Sequence, residues 1–382
     1  MIAILASLDP RSGSFGAQES FLREMLDLCR RSNVEAVVMG LLFENGVMAR
    51  CVRPDGTGWR ETTTPQATAC YDRVFPPGAQ VRSMYRSWLD SMASRFLWVN
   101  SPELSPLTAD KLWCADFCKR HGWNTPDAWP LKDVARIMEP EPPGFVVKPR
   151  WGGGGRRTLV IEQCAGNTWR VSGDGITMTM DGDRLTGHLA GLSEDEENSF
   201  ILQRLVPIRA PAQPAMDLRF VVQRGRLNRA RVTGAVARVM VNGGTRSNHP
   251  GSEWMTNLTR GALAYPPVMA LRRFRGMCGD LADRTVAAAA ATAREIHAGL
   301  ERHCGPVGEL AVDMLVDVRG GLWVVDLNSK PGKIAFQRLS ISTDLAPSMR
   351  RFYATVRRRL LWEPIEFLLT TEGECKEPRA GR

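Results

Sequence analysis

The run from Glu309 to Lys333, ELAVDMLVDVRGGLWVVDLNSKPGK, constrains this 382-residue chain more than any other. Two apolar segments flank Arg319-Gly320-Gly321, a turn signal, so the run predicts a β-hairpin. A two-residue loop at Arg319-Gly320 pairs Val318 with Gly321, and counting back puts Asp313 opposite Asp326. Side chains alternate along a strand, so Asn328 shares the face of Asp326. Leu310, Val312, Met314, Val316, Trp323, Val325 and Leu327 fill the other face, which carries no polar residue and is read as core. Shifting the turn by one residue keeps Asp313, Asp326 and Asn328 together. A three-residue loop without a bulge would separate them.

Like charges opposite one another in a ladder are destabilising. At ~5 Å and an effective dielectric of ~20, two carboxylates repel by roughly 3 kcal/mol. A hard divalent cation offsets that repulsion: Mg²⁺ accepts a few carboxylate and amide oxygens and fills its other positions with water and phosphate. The plainer reading is two solvated aspartates and an asparagine that ends a strand. Lys330, Pro331, Gly332 and Lys333 follow at once and add cations, which favours phosphate chemistry.

The length allows two or three domains with proper cores. No apolar run approaches the ~20 residues that span a bilayer. The start, MIAILASLDP, lacks the basic lead and the length of a signal-peptide core and reads as a buried strand. Nine scattered cysteines form no C-x-x-C pair, and the five histidines do not gather near them. That argues for a reducing, cytoplasmic setting and against zinc, with Cys114 and Cys118, one helical turn apart, read as packing. The net charge of +9 comes mostly from arginine. No zinc finger, RNA-recognition signature or basic heptad accompanies it, so nucleic acid binding is disfavoured.

Residues 1 to about 100 alternate strand and helix patterns: strands at 2–8 and 34–42, a helix at 21–31, a polar Gly- and Thr-rich passage at 45–68, and YDRVFPPG at 71–78 as a strand running into a Pro-Pro turn. This is an α/β domain with a parallel sheet. A helix is expected over 104–122 with Thr108 as N-cap. Strands follow to 202, interrupted by an acidic loop at 194–198. Further strands are expected at 217–223 and 229–241, a long helix at 278–303, and one more amphipathic helix at 341–369 before a polar, frayed tail.

A second motif is GFVVKPRWGGGGRRT, in which a strand delivers Lys148 and then Gly152, Gly153, Gly154 and Gly155. Without Cβ atoms these residues can fold backbone N–H groups over phosphate oxygens. The loop matches neither G-x-x-x-x-G-K-[ST] nor G-x-G-x-x-G, and a hairpin tip is the other reading. Asp217 and Arg219, two apart on a strand, share a face and could be a simple surface pair. Arg238 stands in the apolar strand VTGAVARVMV, where a charge is costly unless an anion meets it. Arg246, Asn257 and Arg260 lie in polar loops that could reach the same place.

The order of these pieces resembles the ATP-grasp superfamily and, within it, the spore-coat-associated YheC/YheD-type proteins. The match covers about residues 70–335. It includes YDRVFPP, the Asp110-Lys111 helix start, VVKPRWGGGG, FILQRLVP, DLRFVVQ, TGAVARV, NLTRG and both halves of the hairpin. The hinge and the Asp-Leu-Arg strand also look like those of ribosomal-protein glutamate ligases and glutathione synthetases. The resemblance implies a fold of α/β and α+β parts: a pre-ATP-grasp N-terminal domain followed by a two-subdomain ATP-grasp fold. The expected divisions are 1–100, 101–202 with the glycine lid, 203–340 with the metal hairpin, and 341–382 as a C-terminal helix and tail.

On that resemblance Lys111 and Lys148 contact nucleotide phosphates and Gly152 to Gly155 form a lid, and Lys330, from the hairpin reading, is a further cofactor-binding candidate. Gln203, Leu205 and Val206 belong to the adenine hinge, with Asp217 near the ribose. Arg219 and Arg238 are the catalytic candidates, facing the γ-phosphate or a substrate carboxylate. Asp313, Asp326 and Asn328 hold one or two Mg²⁺ ions. The family usually has Glu at the position of Asp326, a further glycine where Arg156-Arg157 ends the lid, and a glycine at Ala262. The implied activity is a Mg-ATP-dependent ligase joining a small-molecule or peptide carboxylate to an amine or thiol. The alternative is an ATP-binding structural or assembly protein of the spore-coat type with weak or no catalysis. No membrane partner is expected, GSFGAQ at 13–18 is either a substrate-contact loop or a plain strand–helix turn, and the oligomeric state is not read.

Overall fold

A computed structural model describes residues 1–63, 66–76, 78–133, 144–153, 155–173, 175–193, 199–208, 213–226, 228–241 and 256–376. Gly154, the acidic loop at 194–198, Arg246 and residues 377–382 of the tail lie outside these.

Three sheets carry the chain. The first comprises β1 (Ile2–Ser7), β2 (Ala36–Phe43), β3 (Val47–Asp55), β4 (Gly58–Glu61), β5 (Ala69–Asp72) and β6 (Leu97–Trp98), in the order β4-β3-β2-β1-β5-β6. β2, β1, β5 and β6 pair parallel, as the alternating strand and helix patterns require. The polar passage at 45–68 supplies β3 and β4, an antiparallel addition at one edge. The second sheet comprises β7 (Ala128–Pro130), β8 (Gly144–Pro149), β9 (Leu159–Gln163), β10 (Thr168–Gly173), β11 (Ile176–Asp181) and β12 (Phe200–Arg204), in the order β11-β10-β9-β8-β12-β7. The third comprises β13 (Ala215–Arg224), β14 (Ala230–Met240), β15 (Leu263–Tyr265), β16 (Glu309–Val316) and β17 (Leu322–Asn328), in the order β15-β14-β13-β16-β17.

The helices are α1 (Glu19–Arg31), α2 (Gly78–Met92), α3 (Leu104–Ala109), α4 (Lys111–Arg120), α5 (Gly182–Ser193), α6 (Pro267–Arg275), α7 (Leu281–Cys304), α8 (Ile334–Ile341) and α9 (Pro347–Lys376). One face of the third sheet packs Leu218, Phe220, Leu310, Val312 and Met314 on Ala289, Ala293 and Ile296 of α7. The alanine-rich stretch is therefore the close-packing stripe of a core helix. The other face packs Val221, Val236 and Ala311 on Phe336 of α8 and on Tyr353, Val356 and Leu360 of α9. Farther along, α9 buries Leu361, Ile365 and Leu368 against the first sheet, so one helix ties two sheets together. The second sheet buries Phe145, Val147, Ile161, Trp169 and Leu202 against Leu185 and Leu189 of α5. Lys148 pairs with Ile201 and Val146 with Gln203, so these four share the opposite face.

The single helix expected over 104–122 is two. Asp110 breaks it with φ −86° and ψ 105°, and its carboxylate accepts the backbone N–H groups of Leu112 and Trp113. A short carboxylate competes with helical carbonyls for those donors, which makes Asp110 the N-cap of α4. Thr108, expected in that role, turns its hydroxyl back to Leu104 O at 2.9 Å.

Candidate active site

A row of charged side chains crosses the third sheet on the face away from α7. Strand register sets it: Arg238 lies opposite Asp217, Arg219 opposite Asp313, and Asp313 opposite Asp326. Arg219 forms a fork on Asp313, Nε to Oδ1 and Nη2 to Oδ2, both at 2.7 Å. Arg238 forms a second fork on Asp217 at 2.7 and 2.6 Å, and its Nη2 also reaches Asp313 Oδ2 at 2.8 Å. Two planar guanidiniums thus match two carboxylates bidentately, the strongest geometry for such pairs. The charge that stood out in an apolar strand is met by two buried acids. The Thr256 hydroxyl adds a short hydrogen bond to Asp217, a contact with no sequence signal beyond a polar loop. Asn257 caps the next turn by accepting Thr259 N–H at 2.9 Å.

The hairpin reaches the expected pairing by a different route. Asp317 N–H donates to Gly321 O, which closes a three-residue loop, Val318 to Gly320. Gly320 takes φ +86°, a conformation glycine adopts without strain. Asp317 Oδ1 accepts the N–H groups of Arg319 and Gly321, an Asx-type cap that favours the longer loop. The extra residue is absorbed by a bulge: Met314 pairs with Val324 but Asp313 with Asp326, leaving Val325 unpaired. Asp313, Asp326 and Asn328 therefore share a face. The expected core face needs correction: Val324 and Leu327, with Leu322, join the α7 core. Trp323 packs on the opposite side and donates its Nε1–H to Asp317.

Burial and the Arg219 and Arg238 pairs act oppositely on Asp313, and the arginines win, holding its carboxyl well below the usual range. Asp326 is the contrast. Among the described residues its carboxylate has no hydrogen bond or ion pair, and burial, with Asp313 beside it, pushes its pKa up. Lys111 and Lys148 oppose that rise, so both ammoniums lie within electrostatic range of Asp326. Burial in turn lowers Lys148 to about 8, with Lys111 adding to the fall and Asp326 opposing it. The strand-borne lysine and the helix-borne lysine thus both act on the hairpin carboxylate through space without bonding to it.

Lys111 Nζ donates to Gly152 O at 2.6 Å, and its backbone N–H to Arg150 O at 3.1 Å. Arg150, not singled out in the sequence, forks onto Asp110 at 2.8 and 2.5 Å and so ties the α4 N-terminus to the glycine loop. Gly152 and Gly155 take φ +98° and +69°, and a Cβ added at Gly152 or Gly153 would meet nothing within 4 Å. The loop is open there, as a cover over a ligand requires. Gln203 is buried at the end of β12, Leu205 N–H donates to Gly144 O at 3.0 Å, and Val206 packs in the α8–α9 core. Lys330 lies apart from the row. Its ammonium pairs with Asp72 at 2.6 Å and donates to Val74 O at 2.9 Å, both on the first-sheet side.

The donor set fits one Mg²⁺. Among the described residues no three His, Cys, Asp or Glu side chains form a metal cluster. The set is two carboxylates and an amide. A carboxylate offers about four lone-pair sites, and the two arginines occupy three on Asp313. One remains at Oδ1. Asp326 offers all of its own, and Asn328 Oδ1, which accepts Lys330 N–H at 2.8 Å, keeps one more. A few oxygens with open positions left for water and phosphate suit Mg²⁺. The cysteines do not compete: burial raises Cys114 well above its ordinary value and Cys118 to about 12, so both stay thiols.

The model of YheC/D-like ATP-grasp proteins matches residues 131–355, more than half of the chain. The chain belongs to that family. This YheC/D-like protein has a pre-ATP-grasp N-terminal domain followed by a two-subdomain ATP-grasp fold, and solved structures resemble it over nearly its full length. The D-cycloserine synthetase DcsG aligns with a TM-score of 0.53 at 17% identity, covering 94% of this chain and 100% of that one. The VanG D-Ala:D-Ser ligase from Enterococcus faecalis aligns at 0.58 and 11%, covering 96% and 98%. D-alanyl-alanine synthetase A from Vibrio cholerae aligns at 0.57 and 10%, with the same coverage. At such identities the likeness concerns the fold. No curated protein matches the YheC/D-like chain. Among its described residues no helix is long and apolar enough to cross a membrane.

Proposed function

We propose that the chain is a Mg-ATP-dependent ligase that joins a carboxylate to an amine through an acylphosphate. The observation that carries this reading is the charged row on the third sheet, Arg238–Asp217 and Arg219–Asp313–Asp326, with Lys111 and Lys148 of the facing elements in electrostatic range of Asp326. The glycine loop follows directly from the strand that bears Lys148.

In this reading Lys111 and Lys148 hold the nucleotide phosphates while Gly152 to Gly155 close over them. Gln203, Leu205 and Val206 form the hinge that meets adenine, and Asp217 keeps Arg238 oriented. Asp313, Asp326 and Asn328 hold Mg²⁺, which, when bound, neutralises phosphate charge and polarises the γ-phosphoryl group. A substrate carboxylate oxygen attacks the γ-phosphorus and ADP leaves. The amine nitrogen then attacks the acyl carbon, the acyl–oxygen bond to phosphate breaks, and the amine's proton leaves with the phosphate. Arg219 and Arg238 stabilise the charge that grows on the phosphoryl and acyl oxygens. The protein's contribution is orientation and fixed charge, and it needs no nucleophile of its own. Residues 1–100 contribute to substrate choice, 101–202 and 203–340 close on ATP, and α9 braces the assembly.

The test is incubation with Mg-ATP and pooled amino acids, following ADP and phosphate. Release of both that depends on an added carboxylate and amine supports the ligase. ATP binding by calorimetry without turnover on any donor pair would favour the assembly-protein alternative.

A further inference from the structure

Glu309 opens the same strand that carries Asp313, four residues along on the same face, ~13 Å away at the rise of a strand. Its carboxylate is fully buried, and four side chains from three segments converge on it. Lys333 Nζ donates to Oε2 at 2.6 Å and Gln223 Nε2 to Oε2 at 2.6 Å. Tyr71 O–H donates to Oε1 at 2.8 Å, and Arg73 Nη1 approaches Oε1 at 3.4 Å. Tyr71 lies on the first sheet's β5 and Arg73 just past its end, Gln223 belongs to β13, and Lys333 ends the loop that leaves β17.

That loop, 329–333, follows Asn328 directly, and the N-terminal part of the chain holds nearly every residue of it. Asn100 Nδ2 donates to Ser329 O at 2.7 Å and to Glu309 O at 2.9 Å, and Thr108 Oγ1 meets Ser329 Oγ at 3.0 Å. Lys330 is pinned on Asp72. Arg73 Nη2 donates to Pro331 O at 3.2 Å. Lys333 also donates to Tyr71 Oη at 2.9 Å. The Lys330 N–H, fixed by these anchors, is the donor that orients the Asn328 amide.

We propose that Glu309 and Lys333 are positioning residues for the metal site, and that through them the N-terminal domain sets the orientation of Asn328. The inference rests on the Mg-ATP reading above. Groups that orient metal ligands from the next shell alter metal affinity when changed, commonly by about 10- to 100-fold. A buried pair that served stability alone would not change the metal requirement.

The experiment measures ATP binding to the full-length protein by calorimetry across a series of Mg²⁺ concentrations. The variants are E309Q/K333M, which removes one charge of each sign, and Y71F, which removes a single hydroxyl and preserves packing. E24Q is the control, because Glu24 on α1 pairs with Arg357 of α9 and links the same two sheets away from the loop. All are compared below their unfolding temperatures. E309Q/K333M is expected to raise the Mg²⁺ concentration for half-maximal ATP binding about tenfold. Y71F is expected to raise it about threefold, with E24Q at the wild-type value. Should the double variant fail to fold, Y71F against E24Q decides alone. A Mg²⁺ requirement unchanged in Y71F and the double variant, or shifted equally by E24Q, overturns the positioning role while leaving the ligase reading intact. Absence of Mg²⁺-dependent ATP binding in the wild-type protein overturns both.

Discussion

Asp326 stands directly opposite Asp313 across the last hairpin, yet the two carboxylates live in different electrostatic worlds. Asp313 is gripped by two guanidiniums and stays ionised. Asp326 is unpaired among the described residues, and burial and its neighbour raise its pKa. One acid is spent on organising arginines. The other has no cation bonded to it among the described residues, and the proposed reading gives it a metal.

Replacing Asp326 by Asn should therefore stabilise the empty protein while disabling it. Removing one of two facing like charges gains about 1 kcal/mol. The folded pKa of Asp326 is raised, so the gain is present above that value and shrinks as pH falls through it towards the ordinary carboxylate range. Urea unfolding at neutral and acidic pH checks the first part. Loss of the Mg²⁺-dependent rise in Tm with ATP checks the second.

Arg238 and Arg219 look alike in sequence but should behave differently. Arg238 serves two buried acids, so R238M leaves Asp217 without its fork and Asp313 with one partner fewer. Breaking such a buried set costs about 3–5 kcal/mol. R219M leaves Asp313 still bonded to Arg238 and should cost about 1–2 kcal/mol. Denaturant midpoints separate the two, and a larger loss in R219M would contradict the described pairing.

Lys148 titrates near 8 because its half-buried ammonium loses hydration, with the Lys111 charge adding to the fall. Its folded value lies below the ordinary one, so between them the unfolded chain carries more protons and stability rises with pH. Nucleotide phosphates would reverse the shift. ATP binding at about pH 9 should then take up a proton, seen as a binding enthalpy that varies with the buffer's ionisation enthalpy. K148M should abolish the uptake and weaken ATP binding about tenfold or more.

The sequence was most legible where chemistry and period coincide. Asp313, Asp326 and Asn328 carry both a strand alternation and a charge conflict, so their common face could be read. Thr108 was misread as the cap because cap preference is shared among Thr108, Asp110 and their neighbours, whereas the resemblance had marked Asp110-Lys111 as a helix start, and Asp110 is further held by Arg150, 40 residues on. Glu309 and Gln223 were invisible as a pair: their meeting depends on β13 lying beside β16, across a sequence separation of 86. Lys330 was read beside the nucleotide from its neighbourhood in sequence, yet its ammonium lies on Asp72, because a charge buried by domain packing takes the nearest carboxylate.

The hairpin makes the last prediction. LWVVDLN contains two adjacent valines where strict alternation allows one, and Val325 is the unpaired residue of the bulge. Deleting one valine gives LWVDLN, in which Leu, Val and Leu face α7 while Asp and Asn face the arginines. The three-residue loop, held by Asp317, is untouched. The deletion should therefore fold, lose about 1–2 kcal/mol from a missing half-buried side chain and altered twist, and keep Mg²⁺-dependent ATP binding. An added residue beside Val325 also restores alternation but slides Asp326 from opposite Asp313 to opposite Ala311, and should abolish binding. Thermal unfolding and ATP calorimetry of the two variants compare them directly. Equal loss of ATP binding in both would mean that the bulge, and not just the alternation, shapes the site.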